Sequence, residues 1–376
     1  MGKRVFVLCG EASGDLYAGW LIRRLRGLSG DLDVYAMGGR ECYLAGAQVV
    51  ADPTSIAVVG LWEVLQHLGE FRYIYRTVKE HILDVKPEAI VFVDYPGFNL
   101  RLARELRKQL SRTKFFYYIS PQLWAWGRER VKLMRMMDRI FVIFPFEVEF
   151  YRGYGIDVDF VGHPLGEVLS DLKVDDELGR RLKGEKGLIV LLPGSRMQEI
   201  RRHLPVMAEA MKRLKGEFNF CINCAPTIPE FVYNAMLREL GVSVSLVLPD
   251  DHATSLSYAD MVWVASGTAT VQTMFYQKPM IVVYKISPFT YYLLRPLVRV
   301  KYISMVNILA DELLVPELIQ DQFNPDRLIG ETKRILSDQE GLERVRKRLS
   351  DIGKDLFSVS ASANVAKRIL EELSVE

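Results

Sequence analysis

The chain has 376 residues, of which 49% are hydrophobic, 26% charged and 11% aromatic, which excludes a disordered or collagen-like protein. At about 150 residues per domain the length allows two cores. Forty-nine Lys and Arg stand against 47 Asp and Glu, so the formal charge is +2 and nucleic acid is not an expected partner.

Four cysteines are too few for a disulfide scaffold and suit a reducing compartment. No apolar run reaches the roughly 18 residues of a membrane-spanning helix. The first apolar run stops at Gly10-Glu11, too soon for a secretory signal. The expected location is cytoplasmic, soluble or peripheral to a membrane.

Short apolar runs alternate with longer amphipathic segments. In the first half, residues 5–9, 89–93, 115–119, 140–144 and 160–161 read as strands, with helical patterns at 16–28 and 100–110. In the second half, strands are expected at 188–192, 218–222, 244–248, 261–264 and 280–284, and helices at 197–214 and 231–240. Several runs are continuously apolar, as in strands buried on both faces of a parallel sheet. This predicts an α/β protein of two doubly wound domains, 1–165 and 188–325, joined by a linker at 166–187. Beyond Pro325 only helical patterns remain, with a weak break at 357–361. That tail, 326–376, must pack on the first domain, the second or a partner chain.

In open parallel sheets ligands bind outside the carboxyl ends of strands, so five loops carry the candidates. Gly10-Glu11-Ala12-Ser13-Gly14-Asp15 is small and polar and opens a helix, so its N–H groups could face an anionic or sugar ligand. It reads equally as an ordinary βα turn capped by Asp15 or Ser13. Asp94-Tyr95-Pro96-Gly97-Phe98-Asn99 places a carboxylate at the end of a buried strand, where burial raises its pKa and suits it to act as a base. The alternative is a turn-forming Asp before Pro-Gly. Ser120-Pro121-Gln122-Leu123-Trp124-Ala125-Trp126-Gly127 offers two indoles for sugar stacking or a membrane interface, followed by Arg128, Arg130, Lys132 and Arg135. A solvated basic helix competes there with a site for anionic lipid headgroups.

Pro193-Gly194-Ser195-Arg196 and Ser266-Gly267-Thr268-Ala269-Thr270 each combine small residues, hydroxyls and a helix start, the minimum for cradling a diphosphate. Arg196 adds a permanent forked charge. The Cys221-Ile222-Asn223-Cys224 pair lacks two further ligands, and the five histidines show no ligand spacing, so no metal is expected. Three stretches look too apolar for a solvated surface: 56–65 running on toward Tyr75, Trp20 to Leu25 among arginines, and 291–299. Each fits core packing; together they suit an interfacial role.

Taken in order, the five loops and Tyr302-Ile303-Ser304-Met305-Val306-Asn307 resemble lipid-A-disaccharide synthase, across essentially the whole chain. The resemblance implies a GT-B type inverting glycosyltransferase, with two facing Rossmann-like domains and a cleft between them. The first domain would hold the acceptor and the second the UDP-sugar. It implies UDP-2,3-diacylglucosamine and 2,3-diacylglucosamine 1-phosphate as substrates, a β(1→6) lipid disaccharide and UDP as products, and neither metal nor cofactor. It also implies a homodimer at the membrane surface, on the cytoplasmic face of the inner membrane, with tail helices exchanged between subunits. Asp94 would be the general base. Arg196, with Gly194, Ser195, Ser266, Gly267, Thr268, Ala269 and Thr270, would hold the donor diphosphate, and Asn307 a donor or acceptor phosphate. Glu11, Ser13, Gly14, Asp15, Asn99 and Trp124 would line the acceptor side.

Many GT-B enzymes carry Glu where Gln272 stands, accepting both ribose hydroxyls. Gln keeps a contact without the charge, which bears on donor affinity. A UDP-sugar epimerase, a peptidoglycan glucosaminyltransferase and a non-catalytic nucleotide-sugar-binding protein are the competing expectations.

Overall fold

A computed structural model describes residues 2–54, 68–287, 291 and 300–374. The apolar stretch at 56–65, and 292–299 of the later one, lie outside these residues. The chain divides into two compact units, Met1–Glu167 with Leu356–Glu376, and Val168–Asp355.

The first unit is built on a seven-stranded sheet in the order β3-β2-β1-β4-β5-β6-β7, every pairing parallel. Its strands are β1 (Lys3–Leu8), β2 (Leu32–Met37), β3 (Gln48–Ala51), β4 (Ala89–Val93), β5 (Lys114–Tyr118), β6 (Arg139–Val142) and β7 (Asp159–Phe160). The central strands β4 and β5 carry Ile90, Phe92, Phe115 and Tyr117 into a core completed by Ile82 and Leu106 from flanking helices. Strand order reverses between β1 and β4, so their outgoing loops part there and leave a crevice.

The second unit holds six parallel strands in the order β10-β9-β8-β11-β12-β13. They are β8 (Leu188–Leu192), β9 (Asn219–Asn223), β10 (Ser245–Val247), β11 (Met261–Ala265), β12 (Met280–Tyr284) and β13 (Glu317–Ile319). Here the order reverses between β8 and β11. Leu191, Trp263 and Val283 pack against Met207 and Met211, and the Trp263 indole donates to Thr332 Oγ1 at 3.0 Å.

Three assignments need correction. The expected linker at 166–187 holds the helices Leu165–Ser170 and Asp176–Lys183. The second of these belongs to the second unit, with Gly179 against the Tyr258 ring, where a Cβ would come within 2.3 Å. The tail is not one body either. Helix Pro325–Ser337 is tied to the second unit through Arg213–Asp326 at 2.7 Å and Lys333–Glu217 at 2.6 Å. Helix Ala361–Ser374 packs on the first unit along helix Ala12–Leu28, with Arg139 held by Glu372 at 2.6 Å and Asp159 at 3.0 Å. Lastly, Leu21, Ile22 and Leu25 are fully buried, so the stripe after Trp20 is core rather than an interfacial surface. No described helix is long and apolar enough to cross a membrane.

Candidate functional site

In the first unit the loops after β1 and β4 flank the switch point. β4 ends as the Asp94 N–H donates to the Tyr118 carbonyl at 3.0 Å. Asp94 and Tyr95 then turn left-handed, at φ +45° and +48°, a conformation costing roughly 1–2 kcal/mol for a residue with a Cβ. The turn is held by its own carbonyl. Tyr117 Oη donates to Asp94 O at 2.7 Å and Asn99 Nδ2 to the same oxygen at 2.8 Å. Pro96, with its φ already fixed, then starts helix Pro96–Leu106.

Held this way, Asp94 is half-buried and its carboxyl has no basic partner among the described residues. Burial pushes its pKa up to about 6, the charge of Glu11 adds to the rise, and the Tyr95 N–H opposes it. The loop after β1 lies directly against this turn, since a Cβ on Gly10 would sit 2.1 Å from Cδ1 of Tyr95. Glu11 and Ser13 are exposed beside it and Gly14 is buried.

Three residues expected on the acceptor side serve the scaffold instead. Asp15 is buried, and its carboxylate accepts the N–H groups of Gly39 (2.7 Å), Glu41 (2.9 Å) and Cys42 (3.2 Å), which caps the short helix Arg40–Leu44. Nor does it cap its own helix, where Glu11 is the N-cap and no side chain bonds. Asn99 is fully buried and also reaches the carbonyls of Leu8 at 3.4 Å and Val93 at 3.3 Å, so it ties β1 to β4 beneath the Asp94 turn. Trp124 is 8% exposed and edge-on to Phe146, with its indole N–H 3.3 Å from Glu147 Oε1. The indole open to solvent is Trp126, 54% exposed, with the Arg130 guanidinium 5.1 Å from its ring.

Glu147 is a residue that sequence reasoning missed. It is buried and also accepts from Ser120 Oγ (3.0 Å), Ile143 N (3.2 Å) and Phe144 N (3.0 Å), so it joins the loops after β5 and β6. Burial outweighs these donors and pushes its pKa up to about 7. Position gave the only available signal, a carboxylate in an otherwise apolar run.

In the second unit the loops after β8 and β11 flank the second switch point. Gly267, at φ +145°, starts helix Thr268–Phe275 with no side chain capping it and open space where its Cβ would lie. Its first N–H groups therefore face outward with the positive end of the helix dipole. Ser266 Oγ donates to Ile303 O at 2.8 Å and Thr270 Oγ1 to Gly267 O at 2.8 Å, so both hydroxyl hydrogens are engaged in shaping the loop. Gln272 is half-buried one turn along the same helix.

The loop after β8 is arranged differently from the expected phosphate cradle. Glu199 Oε2 already accepts the N–H groups of Ser195 at 3.0 Å and Arg196 at 3.3 Å. The Arg196 guanidinium remains exposed, with Nη1 3.3 Å from Glu199 Oε1. His203, also missed, donates from Nδ1 to Pro193 O at 2.7 Å and accepts the Lys285 N–H on Nε2 at 3.0 Å. Burial keeps this imidazole neutral, as both contacts together require.

Asn307, expected at a donor or acceptor phosphate, is fully buried and bonded within its own chain. Its amide donates to Val315 O and Glu317 Oε1, both at 2.9 Å, and accepts the Val315 N–H at 3.0 Å. Glu317 in turn holds the N–H groups of Ile303 and Ser304. Among the described residues only Cys9, Asp15 and Cys42 come close enough to suggest a metal site. The Asp15 oxygens there are already taken by backbone N–H groups, so the group does not fit an ion.

With both half-sites defined, comparison with known proteins is informative. The family model described as lipid-A-disaccharide synthetase matches residues 5–368. The lipid-A-disaccharide synthase of Geobacter sulfurreducens is 36% identical, over 98% of this chain and 97% of its own. That of Acidobacterium capsulatum is 37% identical, over 96% and 93%. Among solved structures, the UDP-GlcNAc 2-epimerase of Neisseria meningitidis bound to UDP-GlcNAc superimposes with a TM-score of 0.67 at 12% identity, covering 98% of this chain and 100% of that one. The calicheamicin glycosyltransferase CalG4 does so with a TM-score of 0.63 at 16% identity, covering 100% and 99%. These structural likenesses establish the GT-B fold.

Proposed function

The chain belongs to the lipid-A-disaccharide synthase family of glycosyltransferases, and on that premise we propose that it joins UDP-2,3-diacylglucosamine to 2,3-diacylglucosamine 1-phosphate. The observation that carries the assignment of chemistry is Asp94, a half-buried carboxylate at the β1/β4 switch point with no cation against it among the described residues. In one in-line displacement the acceptor 6-hydroxyl oxygen bonds to the donor anomeric carbon as the bond from that carbon to the UDP oxygen breaks. The hydroxyl proton passes to Asp94, the anomeric centre inverts, and the products are the β(1→6) disaccharide and UDP. A positioned base contributes about 10²–10⁴-fold.

Charge developing on the departing diphosphate falls to the Arg196 guanidinium and the uncapped start of helix Thr268–Phe275, a role a metal fills in other transferases. Gln272 stands near enough in sequence to that helix start to meet the ribose. The acyl chains of both substrates favour a membrane surface, by family resemblance the cytoplasmic face of the inner membrane, and Trp126 is exposed for contact with the half-buried Arg130 against its ring. A homodimer is part of the same proposal, on family resemblance alone.

The test is transfer with EDTA present, in detergent, following UDP release and disaccharide together. Equal amounts of both support the proposal. UDP without disaccharide would mean hydrolysis or another acceptor, and neither product would favour a non-catalytic binding protein.

A further inference from the structure

Helix Met197–Leu214 should offer an anion its first free N–H groups, as helix starts generally do. Here the anion is built in. Glu199 folds back so that Oε2 takes the Ser195 and Arg196 N–H groups while Oε1 lies against the Arg196 guanidinium. The backbone is shaped for it: Gly194 sits at φ +128°, and a Cβ there would come within 2.6 Å of both Glu199 Cβ and Oε2. The Glu199 side chain is 18% exposed against 56% for Arg196, so the carboxylate sits low and the guanidinium projects. One turn on, His203 fixes Pro193, the first residue of the loop.

We propose that Glu199 is a positioning residue for the donor: its carboxylate takes the Ser195 and Arg196 N–H groups just ahead of helix Met197–Leu214, where a phosphate would otherwise compete, and aims Arg196 at the diphosphate. The proposal rests on the transferase reading above. It divides the work between two similar loops. The loop after β11 bonds the Ser266 and Thr270 N–H groups within the chain and leaves those of Gly267, Thr268 and Ala269 to receive the phosphates directly, whereas the loop after β8 has its Ser195 and Arg196 N–H groups taken by Glu199 and presents a side-chain cation. A second anion at the closed start would meet the Glu199 charge at short range, which disfavours it. Arg196 restrained by a carboxylate also has fewer rotamers to lose when the transition state forms.

Glu199→Gln separates charge from shape, because one amide oxygen can still accept both N–H groups while the ion pair is lost. Titration calorimetry with UDP and steady-state transfer would be measured on wild type and variant. The expected result is UDP binding tightened about threefold with kcat lowered about tenfold, a split that general loosening of the fold would not produce. In a folded variant, any other pattern overturns the positioning role. If Glu199→Gln does not fold, Glu199→Asp decides instead: it keeps the charge and shortens the reach, so kcat should fall with no gain in UDP affinity, and unchanged kcat would overturn the proposal. Wild type that fails to bind UDP would sink the transferase reading itself, a result distinct from either.

Discussion

The Tyr117 hydroxyl, on β5, donates to the main-chain carbonyl of Asp94 at the end of the neighbouring strand, 2.7 Å away. It acts on the turn that carries the carboxylate rather than on the carboxylate. Tyr117→Phe removes one of the two donors on that oxygen and leaves Asn99 as the other. The expected cost is about 1 kcal/mol in denaturant unfolding, with kcat down about three- to tenfold. Asn99→Ala should cost more, about 2–4 kcal/mol, because Leu8 and Val93 lose the same donor.

Asp94→Asn should lower kcat by about 10²–10⁴ while raising stability. The raised pKa means that the folded state holds the proton more tightly than the unfolded chain does. Asp94 therefore disfavours folding increasingly as pH climbs from the ordinary carboxylate range to about 6, and constantly above that. The gain for the variant should reach about 1–3 kcal/mol at pH 7.5 and be small at pH 4.5, read as unfolding midpoints at both. A variant no more stable at pH 7.5 than wild type would contradict a raised Asp94 pKa.

A base must be ionised to act, so kcat/KM should fall as pH drops below about 6. Glu11→Gln removes one of the charges that raise this pKa, and the acid limb should move to lower pH. A limb unmoved in Glu11→Gln would show that Glu11 does not influence Asp94.

Gly10→Ala drives a methyl into the Tyr95 ring, and the ring can yield only by moving the Asp94 turn. Transfer activity should fall at least about tenfold, with a stability loss of about 1–3 kcal/mol. Full activity with an unchanged unfolding midpoint would mean that the two loops do not touch.

Glu147→Gln replaces an acceptor of four donors by a group that itself donates on one side. About 1–3 kcal/mol of stability should be lost, and fluorescence should report Trp124 leaving its pocket.

Much of this architecture is legible in the residues. Runs such as 89–93 and 188–192 are apolar at every position because those strands are covered on both faces, and β4 and β8 coincide with them. Strands β2, β3 and β13 escaped notice for the opposite reason. Leu32–Met37 alternates between buried and open positions, while Gln48–Ala51 and Glu317–Ile319 are short and lie at sheet edges. The functional loops follow from their place after apolar strands, but residue type does not say which way a side chain points. Asp94 and Asn99 belong to one motif, yet the carboxylate has no cation beside it among the described residues and the amide is bound to three carbonyls. Asp15, Trp124 and Asn307 likewise have the chemistry of ligand contacts and are engaged by their own chain. Glu147 and Glu317 perform that internal work without any motif to announce them, and Glu199 does so one turn beyond the Pro193-Gly194-Ser195-Arg196 loop.

Helix Ala361–Ser374 has a consequence for the order of events during synthesis. It covers helix Ala12–Leu28, and Glu372 supplies a carboxylate to Arg139, so the unit begun first is completed last. As the chain emerges from a ribosome, Val168–Asp355 is available as a whole before the sheet carrying Asp94 receives its final helix. A chain that ended near residue 355 would thus hold a complete second unit and a first unit whose helix Ala12–Leu28 still lacks its cover. Damage to the last helix would be felt far upstream, at helix Ala12–Leu28 and at Arg139.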